Sequence, residues 1–206
     1  MSEKEILLIG GGGHCRSCID VIEAEGKYTI GGIVEKTGAS DEKTVSGYKV
    51  IGYDNDLEQL RGKFQYALIT VGQIGAPGIR KTLFGRLKSV GFVFPVIVSP
   101  HAVVSENSIV GEGTVVMHHA VVNSGARVGE NCILNTKALV EHDVVVGGHT
   151  HISTAYVING GAKLGSDSFV GSNATVVHEA VLPDRFFLKA GSLVKDQKHG
   201  QCFEMD

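Results

Sequence analysis

The sequence predicts an α/β amino-terminal domain with a small parallel sheet, residues 1–97, followed by an all-β parallel β-helix, residues 98–206. Three observations predict this. The second half is built from six-residue repeats, the part before it alternates short apolar runs with helical patterns, and the composition changes across Pro95 to Pro100, where the domain boundary falls.

Taken in order, KEILLIGGGGHCRSCIDVIEAEG reads as strand, glycine turn and helix, and TIGGIVEK as a second strand. QYALITVGQ and FVFPVIVS are further strands. Between them, IRKTLFGRLKSVG places Ile79, Leu83 and Leu87 four apart, the apolar spacing of a helix. Strands alternating with helices imply a Rossmann-like parallel sheet. In its first turn, Gly10, Gly11, Gly12, Gly13 and His14 offer backbone N–H groups and a helix dipole to a phosphate; the alternative is a close strand-to-helix turn. A dinucleotide fingerprint needs a further glycine at Cys15, so this is not an NAD site. Glu35, ending the second strand, is either a partner for ribose hydroxyls or a solvated carboxylate.

From Ala102 the chain divides into sixteen hexads without a gap, and the third place of each, from Val104 to Val194, is Val, Leu or Ile. The first place is usually small, and the later places collect Gly, Asn, Asp, Glu and His. No α-helix keeps one face apolar at period six, whereas a short strand followed by a turn does. Such hexads stack into a parallel β-helix, each coil burying the apolar residue of the next and completing its backbone ladder.

With 19 Lys plus Arg against 22 Asp plus Glu, the formal charge of −3 argues against a nucleic-acid or anionic-membrane partner. No apolar run has the length of a signal-peptide core or a membrane span, so a cytoplasmic location is expected. Cys15, Cys18, Cys132 and Cys202 show neither disulfide-framework nor zinc spacing. The pair Cys15–Cys18 lies where a redox pair would lie, but the preceding glycines account for the segment better and leave two thiols at a helix start.

The stretch NTKALVEHDVVVGGHTHIS, residues 135–153, concentrates three histidines. They suit a metal site, a catalytic base with helpers, or turn residues. A GGGGH turn in a small α/β domain, followed by hexads carrying ILNTKALVEHD, resembles the hexapeptide-repeat sugar acetyltransferases. That bacterial family includes the UDP-4-amino-sugar N-acetyltransferase of bacillosamine synthesis and sialic acid O-acetyltransferases. The resemblance implies a left-handed β-helix, a homotrimer, and acetyl-CoA lying between adjacent β-helices, with the nucleotide on the amino-terminal domain. It places the general base at His142 and its acid at Asp143, with Glu141 as competitor. Gly160, one coil on, becomes the oxyanion donor or else a turn glycine, and Asn135 an acceptor-sugar contact or one rung of a polar ladder. His151 matches a family histidine that approaches the acetyl group or the acceptor, and it is assigned with Gly160 and Gly161 to the cofactor; His118, His119, His149 and His178 have no match, but His178 lies another 18 residues beyond Gly160 and is assigned to the border of the CoA groove. No metal is expected, because acyl transfer from a thioester needs none. The end of the chain, SLVKDQKHGQCFEMD, lacks the Pro-Ala-Lys segment usual in the family, leaving Lys189 and Lys195 as candidates for CoA phosphates. The expected reaction is acetyl transfer from acetyl-CoA to the amine of a nucleotide-linked 4-amino-deoxy sugar. The alternatives are O-acetylation of sialic acid or a related sugar and, more remotely, a non-catalytic protein that binds nucleotide sugars.

Overall fold

A computed structural model describes residues 4–38 and 44–195 and a short strand at 201–202. The chain opens with β1 (Glu5–Ile9), α1 (Gly13–Glu25) and β2 (Thr29–Glu35). The hairpin β3 (Thr44–Val45) and β4 (Tyr48–Tyr53) follows, then α2 (Leu57–Arg61), β5 (Tyr66–Ile69) and α3 (Gly78–Val90). The strand order is β3-β4-β2-β1-β5. Ile6 to Ile9 of β1 are buried whichever way they point, as the strand at the middle of a covered parallel sheet requires. The sheet is parallel from β4 to β5, but β3 runs antiparallel to β4, so it is mixed at one edge where a wholly parallel sheet was expected.

FVFPVIVS does not form one strand. Val93 makes a single bridge to Tyr66, and beyond Pro95 the pair Ile97–Val98 crosses to join Val115–Val116 of the second half. Proline has no N–H to give a ladder, and the chain changes sheets there.

The second half is a three-sided prism of two- and three-residue strands, the architecture of a left-handed parallel β-helix. Val121 pairs with Leu139 and Leu139 with Val157, so residues 18 apart lie one above the other. The first face runs from Ile97–Val98 to Phe186–Leu188, where Gln201–Cys202 adds an antiparallel strand; the last residues of the sixteenth hexad lie outside the described residues. The second face runs from Val103–Val104 to Leu193–Val194 and the third from Ile109–Val110 to Val181–Leu182. Every third-place residue from Val116 to Val194 is buried, while Val104 and Val110 are partly so at the open first coil. Each coil turns a corner by placing the sixth residue of a hexad in the left-handed region, and ten non-glycine residues from His119 to Arg185 adopt it, with φ between 52° and 61°.

The two halves pack as one unit. Outward-pointing Ile97, Val115 and Ile133 on the first face are fully buried beneath Cys15, Cys18, Ile19 and Ile22 of α1, each worth about 1.5–3 kcal/mol of burial. On the other side of the sheet, α3 was expected to turn Ile79, Leu83 and Leu87 inward. Leu87 is fully buried and Leu83 partly, but Ile79 is 69% exposed, and Arg80 is buried in its place. Arg80 Nη1 donates to the carbonyls of Ile69 and Val71 at 2.8 and 2.7 Å, and Nη2 reaches Asn131 Oδ1 at 2.8 Å. These acceptors replace most of the water the guanidinium gives up, with Nε left unpartnered among the described residues, and they fasten the first domain to the prism. At the surface, Lys88 pairs with Glu112 and Glu130, and Lys81 with Asp167, along the same seam. Among the described residues no helix is long and apolar enough to cross a membrane.

Candidate active site

His142 and Asp143 occupy the corner between the second and third faces, after the strand Leu139–Val140. Asp143 has φ 59°, and this left-handed turn lets two consecutive side chains meet: His142 Nδ1 lies 3.0 Å from Asp143 Oδ2. A carboxylate accepts, so Nδ1 carries the proton and Nε2 keeps the lone pair a base needs. Both side chains are open to solvent, at 58% and 71%. Glu141 faces elsewhere. Its Oε2 accepts from Asn123 Nδ2 at 2.9 Å and from the His142 backbone N–H at 3.3 Å, so it braces the turn without touching the imidazole.

Gly160 lies directly above. A Cβ there would sit 2.5 Å from His142 Nε2 and 2.6 Å from Cε1, so the imidazole fills the space a side chain would take. The reading of Gly160 as a turn glycine passes to its neighbour: Gly161 has φ 71°, whereas Gly160 has no positive φ. His178, the next residue up the column, is exposed and paired with Glu179 at 3.4 Å.

The amino-terminal glycines separate into two pairs. Gly10 has φ 101°, is crowded by Val71 and gives its N–H to Val34 at 2.8 Å. Gly11 gives its N–H to Glu35 Oε1 at 2.9 Å, and a Cβ would strike that carboxylate and Val45. These two shape the loop. Gly12 and Gly13, at the start of α1, would present a Cβ to open space, while Gly10 at the other end of the run lines a cavity. Glu35 thus holds the glycine loop, and it also lines an open cavity of about 540 Å³. The same wall holds Asp54, Thr82 and Arg86, which the sequence did not single out: Asp54 follows β4, a stretch with no periodic signal, and Thr82 and Arg86 are polar positions of α3, where the apolar spacing drew attention to Ile79, Leu83 and Leu87 instead. Thr37 donates to Asp54 Oδ1 from Oγ1 and N, which holds that carboxyl below its ordinary range. Burial pushes the Cys15 thiol up to about 11 and raises Cys18 further, so neither has the thiolate character of a redox pair.

The three histidines of residues 142–151 do not converge. His149 packs edge-on against Phe84 and bonds Asn131 at the corner between the third and first faces; burial lowers its pKa. His151 lies on the first face under the loop that follows β5, 7% exposed, with Nδ1 on the Gln73 carbonyl and Nε2 3.3 Å from Asn135 Nδ2. His14 sits beside it: burial, then Arg80 and His151, push its pKa down to about 3. The glycine loop, His14, Asn135 and His151 therefore gather where the first face meets the amino-terminal domain, while His142 stands at the opposite corner of the prism.

Known proteins share this architecture. A model of the PglD N-terminal domain family matches residues 5–87. The acetyltransferase domain of PglB from Neisseria gonorrhoeae FA1090 superposes with a TM-score of 0.86 at 27% identity, covering 98% of this chain and 100% of that one. It has also been solved in complex with acetyl coenzyme A. PerB from Caulobacter crescentus, in complex with CoA and GDP-perosamine, superposes with a TM-score of 0.85 at 30% identity over 93% of this chain and 89% of that one. The chain belongs to the PglD family of hexapeptide-repeat sugar N-acetyltransferases. UDP-N-acetylbacillosamine N-acetyltransferase of Bacillus subtilis (strain 168) is 28% identical over 116 residues, 55% of this chain and about half, 51%, of that relative's length. Forms of GDP-perosamine N-acetyl transferase with one histidine replaced by alanine or asparagine also superpose, and both hold CoA and GDP-perosamine.

The His142 ring is exposed, carries a carboxylate on Nδ1, and sets its Nε2 edge against the backbone of Gly160, where no side chain displaces it. Lys189 and Lys195, both exposed, lie on the upper coils.

Proposed function

We propose that this chain transfers the acetyl group of acetyl-CoA to the 4-amino group of a nucleotide-linked amino-deoxy sugar, with His142 as general base. The observation that carries the reading is the bond from His142 Nδ1 to Asp143, which leaves Nε2 of an exposed ring as an acceptor beside Gly160. The amine attacks the thioester carbonyl and forms the C–N bond, and His142 Nε2 takes its proton. Collapse of the tetrahedral intermediate breaks the C–S bond, and the imidazolium returns the proton to the departing thiolate of CoA. Asp143 stabilises the imidazolium meanwhile, and the Gly160 N–H is assigned to the oxyanion.

The acceptor's phosphates rest at Gly12 and Gly13 with His14 alongside, its nucleoside occupies the cavity lined by Glu35, and Asn135 meets the sugar. Gly161, His178, Lys189 and Lys195 border the donor. One chain holds the acceptor on its first face and the base at the opposite corner, so the complete site needs two chains. The second and third faces support this, because their outward rows leave Val103, Ile109, Val181 and Leu193 more than half exposed. A homotrimer is the closed assembly proposed, in a cytoplasmic setting where the free thiols of Cys15, Cys18 and Cys132 persist.

The test is release of the CoA thiol on mixing the protein and acetyl-CoA with UDP- and GDP-linked 4-amino-4,6-dideoxyhexoses, with the acetylated product confirmed by mass. Release with sialic acid and none with the amines would reassign the acceptor, and no release with either would leave a binding protein. An active monomer by sedimentation would remove the two-chain site.

A further inference from the structure

We infer that His151 is a positioning residue that holds the amide of Asn135, rather than a contact to the acetyl group; the kinetic part of this rests on the acetyl-transfer reading above. A carbonyl oxygen only accepts, so the 2.5 Å contact between His151 Nδ1 and the Gln73 carbonyl puts the ring's proton on Nδ1 and the lone pair on Nε2. The ring stays neutral because burial pushes its pKa down to about 4. Nε2 therefore receives a hydrogen bond from Asn135 Nδ2 at 3.3 Å. The amide's orientation is fixed independently, since Asn135 Oδ1 accepts the Thr136 N–H at 2.8 Å and only the NH2 end can face the ring.

Both ring nitrogens are thus spent. His151 stacks in its row between Ile133 and Phe169, 7% exposed, and has no donor to offer a thioester oxygen. Asn135 is partly exposed at the corner between the first and second faces and keeps its second N–H. A relay runs from the first domain to that corner: Gln73 is pinned by its Nε2 to the Ser168 carbonyl at 3.2 Å, its own carbonyl selects the His151 tautomer, and the tautomer selects the end of the amide it binds. The ordered N–H of Asn135 is then a fixed donor to an oxygen of the acceptor sugar.

Two measurements test this. Long-range 15N–1H spectra of the imidazoles in the full-length protein, without substrates, are expected to show His151 protonated at Nδ1 and bare at Nε2, unchanged from about pH 8 to pH 6. A proton on Nε2, or titration within that range, overturns the proposal. This arm needs no activity, so it decides the matter even if acetyl transfer fails or a variant does not fold. In the kinetic arm, Asn135→Ala and His151→Ala are each expected to raise the acceptor KM about tenfold, leave the acetyl-CoA KM within about twofold, and cost no more together than Asn135→Ala alone. Multiplying losses, or an acetyl-CoA KM raised only by the His151 change, would make His151 a direct donor contact and refute the relay.

Discussion

Gly12→Val separates what the glycine run does for the fold from what it does for a ligand. Gly12 has φ −68°, which any residue adopts, and a Cβ there meets nothing within 4 Å. The protein itself has room for the side chain. The stability cost should be confined to a poorer helix start, about 1 kcal/mol or less, because valine is a weak N-cap. A phosphate seated on the backbone N–H groups of the first turn has no such room, since the branched side chain fills the space through which those groups are approached. Losing one good phosphate contact of about 1.4 kcal/mol raises the acceptor KM about tenfold.

The assay is steady-state CoA release with varied acceptor, alongside calorimetry of acetyl-CoA without acceptor. The acceptor KM should rise at least about tenfold while acetyl-CoA affinity stays near that of the parent. Gly10→Ala is the contrasting change: φ 101° and the crowding by Val71 predict loss of folding rather than a selective KM effect. A Gly12→Val protein that is folded, assembled and unchanged in acceptor KM would show that no phosphate approaches the turn. Selective loss of acetyl-CoA binding would exchange the tasks of the two domains.

Three further outcomes are expected. His142→Ala should lower turnover by roughly 10²–10⁴-fold with little change in thermal midpoint, because the ring is exposed; a folded variant nearly as fast as the parent would make His142 a turn residue. Tyr156→Phe should raise stability by about 1 kcal/mol in urea denaturation, since Tyr156 is fully buried and its hydroxyl has no hydrogen-bond partner among the described residues. A loss of stability instead would reveal a partner. Finally, burial holds His151 down to about 4 and His14 to about 3, against 6.5 when unfolded. Their contribution is complete above about pH 6.5 and is lost as pH falls toward those values, because the unfolded chain takes up protons the folded one refuses. His151 alone gives about 1.4 kcal/mol per pH unit, so a flat urea midpoint from about pH 7 to pH 5 would contradict the burial of its ring.

The prism was legible because stacking imposes one demand at every sixth residue, and the sequence meets it from Val104 to Val194. The left-handed sixth place was not legible: residues as different as His119, Lys137, Ala155 and Arg185 occupy it, so no residue type marks it. That conformation is also why Asp143 rather than Glu141 reaches the imidazole, a choice the sequence left to resemblance. Arg80 escaped for another reason. An apolar pattern puts charge outside and so turned Ile79 inward, and it takes no account of carbonyl and amide oxygens that can solvate a buried guanidinium.

The spacing of the histidines carries the reading of a shared site. A coil is 18 residues, as the register of Leu139 on Val157 shows, and His142 and His151 differ by half of that. Half a coil carries the chain from one corner of the prism to the face opposite, whatever the identities of the residues between. His151 goes under the amino-terminal domain, beside the glycine loop, and His142 must then stand where that domain cannot reach. Shortening a loop would not bring them together, because the backbone at each is locked to its column: the His142 carbonyl accepts from Gly161 above and the Asp143 N–H donates to Ser124 below, while the His151 N–H donates to Ser168 above and the Ile152 carbonyl accepts from Asn135 below. On the proposed reading the acceptor, held by Gly12, Gly13 and Asn135 of one chain, meets a base supplied by another. Mixing His142→Ala protein with Gly12→Val protein under conditions where subunits exchange should then produce turnover with an acceptor KM near the parent's, which neither protein shows alone, because some mixed interfaces join an intact acceptor site to an intact base. If the two kinds of chain demonstrably mix and only the raised KM of the Gly12→Val protein is seen, acceptor site and base must act within one chain, and the composite site is wrong.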